Sequence, residues 1–178
     1  MTYPQPQTYH PLSRAIHWLM AALIFIMLGL GWGREFAPHE WGRSIMSTHK
    51  AIGVLLIFLI IFRIGWRIYK KPPTYSAALS KPLKIAAHIA HGVLYLLLIV
   101  MPVSGWAMVS AKGRAASIYG ILTLPPLMDK TPALETPLED FHATCAFILA
   151  GLIALHIGAV LYHHFILKDQ ILRRMLPK

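Results

Sequence analysis

Charge is scarce in this sequence, and negative charge is scarcest. Lys, Arg, Asp and Glu make up 13% of the 178 residues, with only seven acids against seventeen Lys and Arg. An ordinary soluble domain carries about twice that charged fraction. Hydrophobic residues make up 56%, so the chain does not read as a water-soluble globule. Cysteine is almost missing. Cys145 stands alone, which excludes a disulfide within the chain, and its apolar neighbours make it a small filler. Internal repeats and low-complexity tracts are also lacking. The Gly-x-Gly at 31–33 has neither a strand before it nor a third glycine, which excludes a nucleotide-binding loop. The first apolar block is too long for a removable signal peptide and no small-x-small cleavage site follows it, so it reads as an anchor.

The sequence does have long apolar runs. Four of them, with their flanks, predict spans at about 13–33, 45–69, 84–110 and 139–167. Each meets the roughly 20 residues that a helix needs to cross the hydrocarbon core. The expected fold is all-α: a four-helix transmembrane bundle forming a single domain over 1–178, multi-pass in a membrane. Basic residues crowd the connection between spans two and three (Arg63, Arg67, Lys70, Lys71, Lys81, Lys84) and the tail (Lys168, Arg173, Arg174, Lys178). Six of the seven acids (Glu35, Glu40, Asp129, Glu135, Glu139, Asp140) fall in the other two connections. Cationic loops stay in the cytoplasm, so both termini are expected there, with 34–48 and 110–138 facing outward. The net charge of +10 then meets anionic lipid headgroups, not nucleic acid.

Local signals refine this reading. Residues 1–13 carry Pro4, Pro6 and Pro11 and are expected to be extended or loosely ordered. Pro72 and Pro73 stop span two, and Pro102 with Gly105 predicts a kink in span three. Ser44 and the Glu139–Asp140 pair read as helix starts. The piece SIYGILTLPPL is expected to lie along the outer interface.

Ten histidines is a high count for so apolar a chain, and a polar side chain at membrane depth needs a partner. His10 and His39 lie outside the spans. Near the outer side there are only His49 and His142. Toward the cytoplasmic half lie His17, His88, His91, His156, His163 and His164. In FHATCAFILAGLIALHIG, residues 141–158, His142 and His156 are separated by apolar or small residues alone. Fourteen residues rise about 21 Å and return within about 40° of the same helix face. Span four therefore presents two imidazoles at two depths. His49 completes the outer level, and His17, which opens span one, is favoured for the inner. Zinc normally takes four ligands, and each level offers two. Haem takes two axial ligands and brings an apolar disc suited to a bundle core. Two b-type haems fit, since no CxxCH motif offers covalent attachment.

SRAIHW, STHKAIG and FHATCAFILAGLIALHIGAVLYHHFILKDQILRRMLP together resemble the bacterial cytochrome b561 family over nearly the whole chain. The resemblance implies four helices, two b haems, and iron held by His17 with His156 and by His49 with His142. It also implies a superoxide oxidase that passes electrons from superoxide to ubiquinone. Superoxide is an anion, so Lys50 and Arg43 beside His49 are candidates to steer it, with Lys112, Arg114 and Lys130 as further outer cations. The same two residues suit haem propionates. Ubiquinone needs protons as well as electrons, and His163, His164 and His91 are the candidate residues for it. A second function fits the same plan: a cytochrome b subunit conducting electrons between a dehydrogenase or hydrogenase partner protein and the quinone pool.

Overall fold

The computed structural model describes residues 8–73 and 81–176. Four long helices make the body: α1 (Pro11–Gly33), α2 (Gly42–Tyr69), α3 (Lys81–Ala111) and α4 (Glu135–Phe165). Each is long and apolar enough to cross a membrane. Only 11–22% of the most apolar window of each helix is buried by protein, and Phe25, Ile61, Phe147 and Leu155 are more than half exposed. Such faces are stable against hydrocarbon and not against water.

Helices adjacent in sequence pack together: α1 on α2, α2 on α3, α3 on α4. Ile16 and Met20 of α1 meet Leu56 and Ile60 of α2 in one buried cluster. Leu97 of α3 meets Cys145 and Leu149 of α4 in a second, and Ile24 of α1 touches both clusters. Trp32 stacks on Phe147 with ring centroids 5.3 Å apart, tying α1 to α4.

The first and last described segments meet at one end of the bundle, here the terminal end. The Tyr9 amide donates to the Arg174 carbonyl (3.2 Å), and Trp18 Nε1 donates to that of Met175 (2.9 Å). The other end, the loop end, carries a two-stranded hairpin, β1 (Ser117–Ile118) with β2 (Leu122–Thr123). Its turn holds Tyr119 at φ 48 and Gly120 at φ 81, two successive positive φ values that suit a tight hairpin turn. The SIYGILT stretch is thus a hairpin pinned to α2, with the Tyr119 hydroxyl 2.7 Å from Thr48 Oγ1.

The helix boundaries correct three expectations. Residues 11–13 are helical, because Pro11 suits the first turn and the His10 ring accepts the Leu12 amide at 3.2 Å. The second helix begins at Gly42, not at Ser44. The fourth begins at Glu135, ahead of Glu139 and Asp140. Glu135 meets the positive end of the dipole there, and Pro137 sits in the first turn, where its missing N–H costs nothing. Helix α3 runs through Pro102 to Ala111. It ends where the Arg114 amide reaches Val109 O (3.1 Å), the Gly113 amide reaches Ser110 O (2.8 Å), and Gly113 adopts φ 67. That is a Schellman end, and it needs glycine.

Candidate functional site

Two groups of histidines lie inside the bundle at two levels. At the loop end, His49 of α2 faces His142 of α4, with ring centroids 6.3 Å apart and planes at 68°. Ser104 of α3 fixes one of these rings. Its Oγ lies 2.9 Å from the Met101 carbonyl, to which it donates, and 2.8 Å from His142 Nδ1. A hydroxyl has one proton. Ser104 therefore accepts from His142 Nδ1–H, which leaves the Nε2 lone pair free. His49 Nδ1 is buried without a hydrogen bond. Bare backbone makes room beside both rings: a Cβ added to Gly31 would lie 3.5 Å from His49 Cε1, and one added to Gly105 would lie 3.2 Å from His142 Cε1.

These features fit a metal group that brings its own equatorial ligands. Such a group would be held by one ring nitrogen of His49 and by the free Nε2 of His142. Among the described residues no three or more His, Cys, Asp or Glu gather to hold a bare ion. A tetrapyrrole needs only the axial pair.

The second level holds three histidines. His91 of α3 and His156 of α4 have centroids 5.6 Å apart. His17 of α1 lies within electrostatic reach of both. Arg63 of α2 binds this group from the side. Its Nη2 lies 3.2 Å from His17 Nδ1, and its Nε donates to the Tyr95 hydroxyl at 3.1 Å. A guanidinium only donates, so His17 Nδ1 accepts. Beyond these, toward the terminal end, His163 Nδ1 meets Asp169 Oδ2 at 2.5 Å, and Asp169 Oδ1 accepts the Ile171 amide at 3.0 Å. The His164 ring packs on Phe165 at 4.8 Å. His88 Nδ1 lies 2.7 Å from the Lys84 carbonyl of its own helix.

The cations named for the loop end divide. Lys50 is half-buried next to His49, and Arg43, seven residues earlier on α2, is exposed. Arg114 and Lys130 are exposed too. Lys112 is ion-paired with Glu139, so its charge is partly spent. Three residues escaped the sequence reading: Ser104, Tyr95 and Arg63 in its role beside His17. Arg63 carried a signal, since a guanidinium six residues inside a membrane helix demands a partner at that depth.

Comparison with known proteins agrees with this architecture. Residues 8–178 match the model of a family described as prokaryotic cytochrome b561. The chain is 33% identical to Cytochrome b561 homolog 2 of Escherichia coli over 175 residues, covering 97% of this chain and 93% of that protein. It is 31% identical to a protein of Yersinia pestis named Probable superoxide oxidase CybB, with 96% of each covered. It is 25% identical to Cytochrome b562 of Cereibacter sphaeroides, with 97% of each covered.

Proposed function

The chain belongs to the prokaryotic cytochrome b561 family, and from that premise we propose that it is a superoxide oxidase carrying two b haems. It is a multi-pass membrane protein, and family membership implies haem b. The number of haems, their ligands and the reaction are our reading. The loop end faces outward and the terminal end faces the cytoplasm, a placement supported by the basic residues of the terminal end.

His49 and His142 hold the outer group. His17 and His156 hold the inner one, with His91 beside it. The family resemblance favours His17 over His91 as the partner of His156; to bind iron through a ring nitrogen His17 must give up the Arg63 contact at Nδ1 or the proton on Nε2. Haem bound at these histidines would supply one-electron transfer. Two superoxide anions each give up one electron at the outer side and leave as dioxygen. One ubiquinone near the cytoplasmic side takes both electrons and two protons. Lys50 and Arg43 place positive charge next to the outer pair, which raises the local concentration of a small anion. His91, His163 and His164 serve the quinone. Asp169 accepts from His163 Nδ1–H, which orients the ring and leaves Nε2 as the nitrogen available to a quinone oxygen.

The observation that carries this reading is the His49–His142 pair across facing helices, with the tautomer of His142 set by Ser104. Support for the substrate comes from the name of the Yersinia pestis relative. Stopped-flow mixing of the oxidised, haem-loaded protein with superoxide tests it: haem reduction at a near-diffusional rate is expected. A protein with full haem content that superoxide does not reduce would instead be an electron conduit for a partner dehydrogenase or hydrogenase.

A further inference from the structure

We propose that a cleft at the terminal end, between the start of α1, the end of α2 and the C-terminal tail, binds the phosphate of an anionic phospholipid. The cleft holds a cavity of about 40 Å³ lined by Ser13, Arg63, Trp66, Arg67, Lys70 and Lys71, with Tyr95 and Met175 closing it. Four cations meet there with no carboxylate among the lining residues. Asp169 is the one acid that follows α4 in the chain, and it is taken by His163.

The cations are held by neutral groups. Arg63 reaches the Tyr95 hydroxyl and His17. The Arg67 guanidinium lies 5.4 Å from the Tyr95 ring centroid, and the Lys70 ammonium 4.9 Å from that of Tyr69. An exposed cation–π contact is a weak hold on a side chain. A charge-assisted hydrogen bond to phosphate is stronger, so an anion entering the cleft wins these side chains.

Size and depth select the ligand. A cavity of about 40 Å³ has room for roughly three waters, the scale of one small anionic group. A shallower depression lined by Thr8, Tyr69 and Pro73 shares His10, Lys70 and Lys71 with the surroundings of the cavity and remains open to the rest of a headgroup. Arg63 lies six residues inside the end of α2, about 9 Å along the helix, while Lys70 and Lys71 follow that end. Positive charge therefore runs from the interface inward, the depth range of a lipid phosphate. Phe62 and Ile68, exposed on α2 at 49% and 73%, offer apolar surface for acyl chains. The amine of a zwitterionic headgroup would meet Lys70 and Lys71 as like charges, so the cleft discriminates in favour of anionic lipid. The tail completes the site, because Met175 lines it while Arg14 Nη1 donates to the Leu176 carbonyl at 2.7 Å.

The test uses the purified, haem-loaded full chain, titrated with phosphatidylglycerol or with phosphatidylcholine of the same acyl chains and read by native mass spectrometry. One phosphatidylglycerol per chain is expected to be retained at concentrations about tenfold below those phosphatidylcholine needs. The double variant K70Q/K71Q is expected to lose that preference with its haem spectrum intact, and K70R/K71R to keep it. Equal binding of the two lipids by the wild type overturns the proposal even if the double variant fails to fold. An unchanged preference in K70Q/K71Q overturns it too. Displacement of the lipid by millimolar inorganic phosphate would assign the cavity to a soluble anion instead. Loss of haem together with lipid would assign the cations to haem carboxylates.

Discussion

The two histidine levels are built differently. At the loop end two imidazoles face each other, one fixed by a serine hydroxyl, with glycine backbone beside both. At the terminal end three imidazoles share a space with an arginine and a tyrosine, and a His–Asp pair follows. A site that only holds iron needs two imidazoles and neutral second partners that set their tautomers. A site that must also exchange protons needs titratable groups in excess of the ligands. The contrast fits the proposal of electron entry at the loop end and proton-coupled reduction at the terminal end.

The largest effects should come from the ligands, and they would break the comparison most directly. His49→Ala and His156→Ala are each expected to lose one of two haems, read as a halved pyridine haemochrome yield per chain. His91→Ala should keep both haems and slow quinone reduction. Were His91→Ala to lose a haem while His17→Ala kept both, the inner ligand would be His91, and the spare histidine would lie on α1 instead. Next comes Arg63→Gln, which removes a charge from the terminal-end cluster only. The inner haem should become harder to reduce, while the outer haem keeps its potential; a redox titration resolving the two haems checks this. An equal shift of both would mean that the levels are not electrostatically separate. Smaller again is Ser104→Ala. Loss of such a second partner typically weakens metal binding about 10–100-fold, so the outer haem should leave first on dilution in detergent.

The sequence carried the bundle plainly, because lipid imposes a length and a composition that four runs satisfy. Depth arithmetic along α4 also brought His49 near His142, whose rings lie 6.3 Å apart. What it did not carry were contacts between helices that depend on rotation about each axis. Ser104 carries no mark of its role in the sequence of span three, yet it faces His142 across 38 positions of sequence. Arg63 was counted with the cytoplasmic cations by its sign, whereas its place on α2 puts it among the histidines. The helix starts were misplaced for a different reason. Ser44 and Glu139 are good starting residues, but Trp41 caps α2 through backbone alone, and a 3₁₀ turn at Pro132–Leu134 leads straight into α4.

The finest test of the loop-end geometry lies in its two glycines. Glycine inside a helix costs roughly 0.5–1 kcal/mol relative to alanine, so both Gly31→Ala and Gly105→Ala gain in propensity. They differ in what the new methyl meets. At Gly31 the nearest atom is His49 Cε1 at 3.5 Å, an ordinary contact, and the variant should be slightly more stable with an unchanged haem spectrum. At Gly105 the distance to His142 Cε1 is 3.2 Å, so the ring must give by a few tenths of an ångström. Overpacking of that kind costs about 1 kcal/mol or more, which cancels the propensity gain and leaves Tm nearly unmoved. The displaced ring stays bonded to Ser104 through Nδ1, so the strain falls on the side that faces His49. A small shift in the electron paramagnetic resonance signal of the outer haem in Gly105→Ala, and none in Gly31→Ala, is the expected result. The same shift in both variants, or in neither, would mean that the ring of His142 is not held where α3 touches it.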